Sequence, residues 1–414
     1  MDQRLFRLTL GTQNYNWGRK GSSSQVARLL VASGQLGGDQ VEEGRSYAEL
    51  WLGTHPKTPS RLEEGPLLSS VLQARPQLLG QELVQEFGPC LPFLTKVLSI
   101  GHPLQLQVHP SMEEAAVLHR QNPAAFLDAN HKPEMAVAIT PFTALCGWRI
   151  PEAILRLAVK VPELGWVLGE EVVRLLAEQT RLELKVAACY SAIFQSGRSQ
   201  EHTALLKTLA TRLAQKQECI AEERVFLELH SAFPGDPGCW GVFLLNLLHL
   251  SPGEAIWVPA GQIHAYVSGD CVEVLSCGDN VLFCGLVHQE DSIHFPPALT
   301  DPSLLARVVS FLPSASPLVP ETTDQEGHPS LAPPVREFRL TKLLTVEEGG
   351  AWVCRAAALP SASTLLVLEG EGELHSGGQS EAFRTGQGFL LGAEAPLVVT
   401  SKTSALIYRV TTAA

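Results

Sequence analysis

Three long segments in the middle of the chain narrow the folds open to it. PEAILRLAVKVPEL, GEEVVRLLAEQTRLELKVAACYSAIF and SQEHTALLKTLATRLAQKQECIAEERVFLELHSAF, between Pro151 and Phe233, place apolar residues at three-and-four spacing with almost no internal Gly or Pro. That period predicts helices. On either side the pattern changes to short alternating segments broken by Gly and Pro, among them SYAELWLGTHP, PFLTKVLSI and PEMAVAIT before the block and the stretch from Pro252 after it. Period two predicts strands. The chain therefore reads as mainly β with a helical domain inserted at 151–233. At 414 residues it is too long for one ordinary core. Residues 1–150 and 234–312 are expected to form two parts of one β domain. The Pro/Ser-rich stretch 313–334 reads as a connector and 335–414 as a second β domain.

Charge and composition exclude several classes of function. A net charge of −12 with 18% charged residues argues against a general nucleic-acid binder, which carries a basic surface. The longest apolar run, CWGVFLLNLLHL, falls well short of the roughly 20 residues that span a bilayer. The first residues, MDQRLFRLTLGTQNYNWG, lack the apolar stretch of a secretory signal. Nine cysteines without a CxxC pair read as thiols in a reducing compartment. A cytoplasmic monomer that binds neither nucleic acid nor membrane is expected.

LQLQVHP, residues 104–110, holds the first candidate site residues. On a strand, Leu104, Leu106 and Val108 share one face, and Gln105, Gln107 and His109 share the other. Taken alone, this is an amphipathic strand with its polar face in water. Two further segments point elsewhere. In PGEAIWVPAGQIHAYV, residues 252–267, a Pro259-Ala260-Gly261 turn sends a strand back with His264 inward and Tyr266 on the same face. A lone histidine on an apolar strand is usually a satisfied core residue, but this turn spacing resembles the second conserved motif of the cupin superfamily, a small jelly-roll barrel that holds a metal. Ser268 stands where that motif expects asparagine. In DANHKPEMAVAIT, residues 128–140, Lys132 and Glu134 share a strand face, an ionisable pair too costly to bury without a purpose. Gln107, His109, Glu134 and His264 would surround a divalent ion and leave room for water or substrate, as in catalytic zinc sites. A neutral glutamine ligand leaves more of the ion's charge to polarise a substrate oxygen.

YNWG at 15–18, YAELWLGTHP at 47–56, LPFLTKVLS at 91–99, QVHP at 107–110, ANHKPEMA at 129–136 and HAYVSGDCVE at 264–273 resemble the zinc-dependent type I phosphomannose isomerases over nearly the whole chain. The resemblance implies two cupin-type jelly-roll domains, the first catalytic and interrupted by the helical block. It implies one zinc ion per chain on Gln107, His109, Glu134 and His264. The implied reaction interconverts mannose 6-phosphate and fructose 6-phosphate by proton transfer between C1 and C2. Lys132, Tyr266, Glu273 and Asp279 match catalytic positions, and the choice of proton-transfer base among them stays open. Trp17, Lys96, Gln105 and His288 are the candidate contacts to a sugar phosphate.

Three departures put the phosphate grip in doubt. Phe283 and Gln289 stand where the family has an arginine and a lysine, and Gln105 stands where it has a serine. An isomerase with a rebuilt phosphate site is therefore weighed against a weakened zinc-bearing cupin that acts by binding. A two-histidine, one-carboxylate iron site on His109, Glu134 and His264 is a third reading, with Gln107 and Lys132 against it. In the second β domain, TGQGFLLGAEAPLVVT at 385–400 aligns without gaps to PGEAIWVPAGQIHAYV, with Leu397 on His264. That domain is expected to be a cupin without a metal.

Overall fold

A computed structural model describes residues 3–63, 65–195, 200–288, 295–313 and 317–413. The catalytic-side sheets are organised by one long strand, His264–Ser276. Over Gly269–Ser276 it pairs antiparallel with Phe93–Ile100, and over Cys271–Leu275 with Glu134–Ala138. Over His264–Ser268 it pairs instead with Phe142–Trp148, and His264 itself lies opposite Gln107 of the strand Leu106–Val108. The change of partner falls at Gly269, whose φ is 108°. A Cβ there would lie 2.5 Å from the Pro141 carbonyl oxygen, so only glycine lets the strand turn from one sheet into the next.

Side-chain alternation then builds two cores from the same strands. Ala136, Phe142, Ala144, Val258 and Tyr266 fill the barrel interior. Leu106, Val108, Ala265 and Val267 point out of it, into a core with the strand residue Trp148 and with Phe226, Trp240 and Phe243 from the helical side. Leu106 and Val108 thus pack on helices, which leaves Gln107 for the cavity side; Leu104, expected on their face, instead joins the barrel-interior cluster and lines the cavity, because the strand begins only at Leu106. The block interrupts a strand pair: Phe142–Trp148 pairs with Leu245–Leu250, Trp148 opposite Leu245, and the described secondary structure between them is helical. Pro151 and Pro162 each open a helix, where a missing N–H costs nothing. Helix runs on past Phe233 to Gly241–Leu244, and strand resumes at Leu245 rather than near Pro252. CWGVFLLNLLHL divides there because Trp240 and Phe243 are fully buried among the helices.

The second β unit recruits residues the sequence had placed elsewhere. Leu5–Thr9 lies between Gly388–Leu391, from the far end of the chain, and the short strand Arg61–Leu62. Thr322–Thr323 and Pro329–Leu331, inside the expected connector, extend the same eight-stranded sheet beyond Arg339–Leu344. The physical reason lies in Leu5, Phe6 and Leu8, buried on both strand faces: Leu5 enters the core with Phe389 and Leu397, while Phe6 and Leu8 join Leu50, Val97 and Val272. A strand apolar on both faces needs cover on both.

The internal repeat is visible in the backbone. Gly253 and Gly386 have φ of 91° and 85°, and the aligned Gly261 and Glu394 have 77° and 58°. Glu394 keeps the left-handed turn without glycine, and Leu397 is completely buried in the apolar core. No described helix is long and apolar enough to cross a membrane.

Leu5→Ala should lower unfolding stability by about 2–5 kcal/mol, since it opens a cavity where the first strand joins the second unit. Urea unfolding checks this. A change below the smallest value expected for a buried leucine would mean that the strand docks loosely.

Candidate active site

His109 leaves the end of Leu106–Val108, Glu134 opens its strand and His264 opens the long one, so three strand ends converge. The three side chains are almost wholly buried, and one ligand atom from each lies within 4.8 Å of the others. Backbone carbonyls set the tautomers. His109 Nδ1 donates to Asn280 O at 2.7 Å, and His264 Nδ1 donates to Gln262 O at 3.0 Å. Each Nε2 is left without a proton, facing a carboxylate oxygen of Glu134 at 3.4 and 3.3 Å. Neither Nε2 has a hydrogen-bond partner among the described residues. Lone pairs facing one another in a dry interior are repulsive, and a cation between them removes the repulsion.

The charge states fit that reading. Burial, reinforced by Lys132, lowers the His109 pKa to about 4 against the pull of Glu134, so its ring is neutral near pH 7. Burial opposes the charge on Glu134, but Lys132 and His109 outweigh it and hold this carboxyl well below the usual carboxylate range. Lys132 Nζ lies 2.7 Å from Glu134 Oε1. Gln107 stands directly opposite His264 in the strand pair and lines the cavity, which places its amide on the same face. The described donors, two imidazoles and a carboxylate with an amide beside them, suit a divalent ion such as zinc.

Above the cluster opens a cavity of about 1140 Å³, lined by Trp17, Gln105, Gln107, Lys132, Tyr266 and Glu273, among others. Lys96 lies in its floor. Burial works against the Lys96 charge, but Glu49, Glu273 and Glu134 overcome it and raise its pKa. Its Nζ sits 3.4 Å from Glu273 Oε2, 3.9 Å from Glu49 Oε2 and 4.7 Å from the centre of the Trp51 ring. The expected phosphate contact at Lys96 is therefore already committed to carboxylates. Tyr266 Oη is buried without a partner among the described residues, and burial with the nearby Glu273 and Glu134 charges raises its pKa well above normal. His288 lines the cavity with its ring 4.5 Å from that of Phe233.

Asp279 does not line the cavity with the others. Its Oδ2 meets His55 Nε2 at 3.3 Å, and that contact lowers its pKa, so it supports the site from behind. Phe283 does line the cavity, opposite Gln107 in the strand pair and stacked on Phe295 at 4.5 Å, an apolar wall where a cation was expected. Gln289 lies outside the described residues. Sequence reasoning missed Glu49 and the orienting carbonyl of Asn280. Glu49 carried the same signal as Glu134, an acid inside the apolar run YAELWL. A backbone carbonyl carries no sequence signal at all.

A jelly-roll barrel with an inward His–Glu–His cluster under an open cavity defines a cupin with a metal centre. The family model "Phosphomannose isomerase type I, catalytic domain" matches residues 5–150. Mannose-6-phosphate isomerase of Homo sapiens is 37% identical over 385 residues, 89% of this chain and 88% of that protein. Mannose-6-phosphate isomerase 1 of Arabidopsis thaliana is 32% identical over 98% of this chain and 94% of its own. The crystal structure of mannose 6-phosphate isomerase from Salmonella typhimurium bound to substrate (F6P) and zinc matches with a TM-score of 0.82 at 25% identity, covering 100% of both chains. This chain belongs to the phosphomannose isomerase type I family.

His264→Ala should abolish tight zinc binding, because the three contacts that remain are weaker. Elemental analysis that finds full occupancy in the variant would refute the assignment. The pH dependence follows from His109: its lone pair is available above its pKa and lost below it. Zinc should stay bound at pH 6 and dissociate as pH falls through about 4. Dialysis across that range checks it, and release already centred on the ordinary imidazole value would contradict the burial argument.

Proposed function

We propose that this chain interconverts mannose 6-phosphate and fructose 6-phosphate, feeding mannose into nucleotide-sugar synthesis. The observation that carries the reading is the pair of unprotonated, partnerless Nε2 atoms facing Glu134 beneath a cavity with room for a sugar phosphate. Zinc held by His109, Glu134, His264 and Gln107 supplies an electrophile for the sugar's oxygens. The remaining work falls to the chain's own groups.

Proton transfer from C2 to C1 of the open-chain aldose needs a base that can take the proton and return it. Glu273 in the cavity floor fits that role. Burial and the Glu134 charge raise its pKa, while Lys96 and Lys132 pull against them. A carboxylate so poised takes a proton more readily than an ordinary one. Tyr266 keeps its proton and offers its hydroxyl as a donor to a substrate oxygen, and Lys132 offsets negative charge beside Glu134. Trp17 and Gln105 give the sugar an apolar face and an amide on the cavity wall. Gln105 and Gln107 both project from the polar face of LQLQVHP.

Phe283 lowers efficiency in this reading. It cannot donate to an enediol oxygen or a phosphate, as a guanidinium in that position would. All nine cysteines are free thiols, which favours the cytoplasm as the working compartment.

The test is fructose 6-phosphate formation by the purified, zinc-loaded protein. Turnover should be present, absent in Glu273→Gln with zinc still bound, and raised by about tenfold in kcat/KM by Phe283→Arg, or about 1.4 kcal/mol of barrier. No turnover in the unsubstituted protein, with binding of the sugar phosphate retained, would favour the binding-protein reading.

A further inference from the structure

The lysines that line the cavity are Lys57, Lys96 and Lys132 among the described residues, and no arginine joins them. Lys96 is held by Glu49 and Glu273, and Lys132 by Glu134. Lys57 has no carboxylate ion pair among the described residues. Its Nζ instead lies 5.1 Å from the centre of the Tyr15 ring, which itself stacks on Trp17 at 5.9 Å. An ammonium over an aromatic face keeps its charge available to an anion, whereas one between carboxylates does not. The opposite possibility, a grip beside Phe283, meets the Phe283–Phe295 stack.

The loop that carries Lys57 is braced against the metal side. Lys57 N–H donates to His55 Nδ1 at 3.3 Å, and Thr58 N–H donates to His55 O at 3.2 Å. With Nδ1 accepting, His55 Nε2 carries the proton and meets Asp279 Oδ2 at 3.3 Å, while the imidazole packs edge-on against Trp51. Asp279 precedes Asn280, whose carbonyl orients His109 and whose amide is tied to Asp128 and Asn130. One turn therefore holds a metal-side imidazole by its carbonyl and the Lys57 loop by its carboxylate. The His55 contact foremost, with smaller help from the charges of Lys132 and Lys57, lowers the Asp279 pKa.

We propose that Lys57 is the specificity-determining residue that grips the phosphate of the sugar phosphate, with Asp279 and His55 as positioning residues that set its distance from the metal centre. The inference rests on the isomerase reading of the cavity and assigns the anion contact within it. A flexible lysine grips as a point charge, so the contact selects for charge more than for geometry.

The test is calorimetric titration of the zinc-loaded full-length protein with mannose 6-phosphate and with free mannose, comparing Lys57→Ala and Lys57→Arg. Lys57→Ala should weaken mannose 6-phosphate at least tenfold and leave free mannose within twofold. Lys57→Arg, which restores the charge, should stay within threefold of the unsubstituted protein. In steady-state kinetics the alanine variant should raise KM for mannose 6-phosphate with kcat little changed. Unchanged mannose 6-phosphate affinity in Lys57→Ala, equal weakening of both sugars, or no binding of mannose 6-phosphate by the unsubstituted protein would each overturn the assignment. If the unsubstituted protein binds the sugar phosphate without converting it, the isomerase reading fails, and the titrations still decide the role of Lys57.

Discussion

The structure is built around a repulsion that only a cation relieves. Two imidazoles present unprotonated nitrogens to one carboxylate in a dry barrel interior, and each imidazole is turned that way by a backbone carbonyl on its far side. Buried polar atoms without partners are expensive, so such a cluster persists only where the fold over-determines it. Much of the barrel serves that end. The Asn280 turn is tied down by three side-chain hydrogen bonds to Asp128 and Asn130, and Gly269 lets the long strand bring His264 to Gln107 in one sheet and Glu273 to Lys96 in another.

Around that cluster the cavity economises on positive charge. Three of its carboxylates, Glu49, Glu134 and Glu273, hold Lys96 and Lys132 close, so these ammonium groups tune the carboxylates before they can meet a ligand. The remaining wall near Gln107 is aromatic, with Phe283 on Phe295, and Phe233 against His288. A sugar's apolar faces suit such a wall, and a phosphate does not. The division of labour follows: chemistry at the buried cluster, and anion recognition where a cation is free of carboxylates.

Much of the metal centre was legible in the residues. Alternation in LQLQVHP placed Gln107 and His109 off the apolar face, and the turn before His264 aimed it inward. An acid among apolar residues marked Glu134. The Lys132–Glu134 pair was legible too, but the other charge partnerships were not, because they join residues far apart in sequence. Lys96 looked like an anion contact until Glu49 and Glu273 were found beside it, and Asp279 looked catalytic until His55 was found to hold it. The first strand's place in the second β unit was hidden for the same reason: LFRLT reads as a strand, but the partner that docks it there lies at the other end of the chain.

What the sequence determined by itself is local. Period two and period three-and-four set strands and helices, the helical block at its start, and which side chains leave each strand on the polar face, since those depend only on backbone geometry and burial. Only the tertiary structure decided which carbonyl turns each histidine, which carboxylate claims each lysine, and where the first strand docks. Apart from the local Lys132–Glu134 and His264–Gln262 contacts, those outcomes depend on distances of a few ångströms between segments distant in sequence, and over such distances charge and hydrogen bonding change from negligible to dominant.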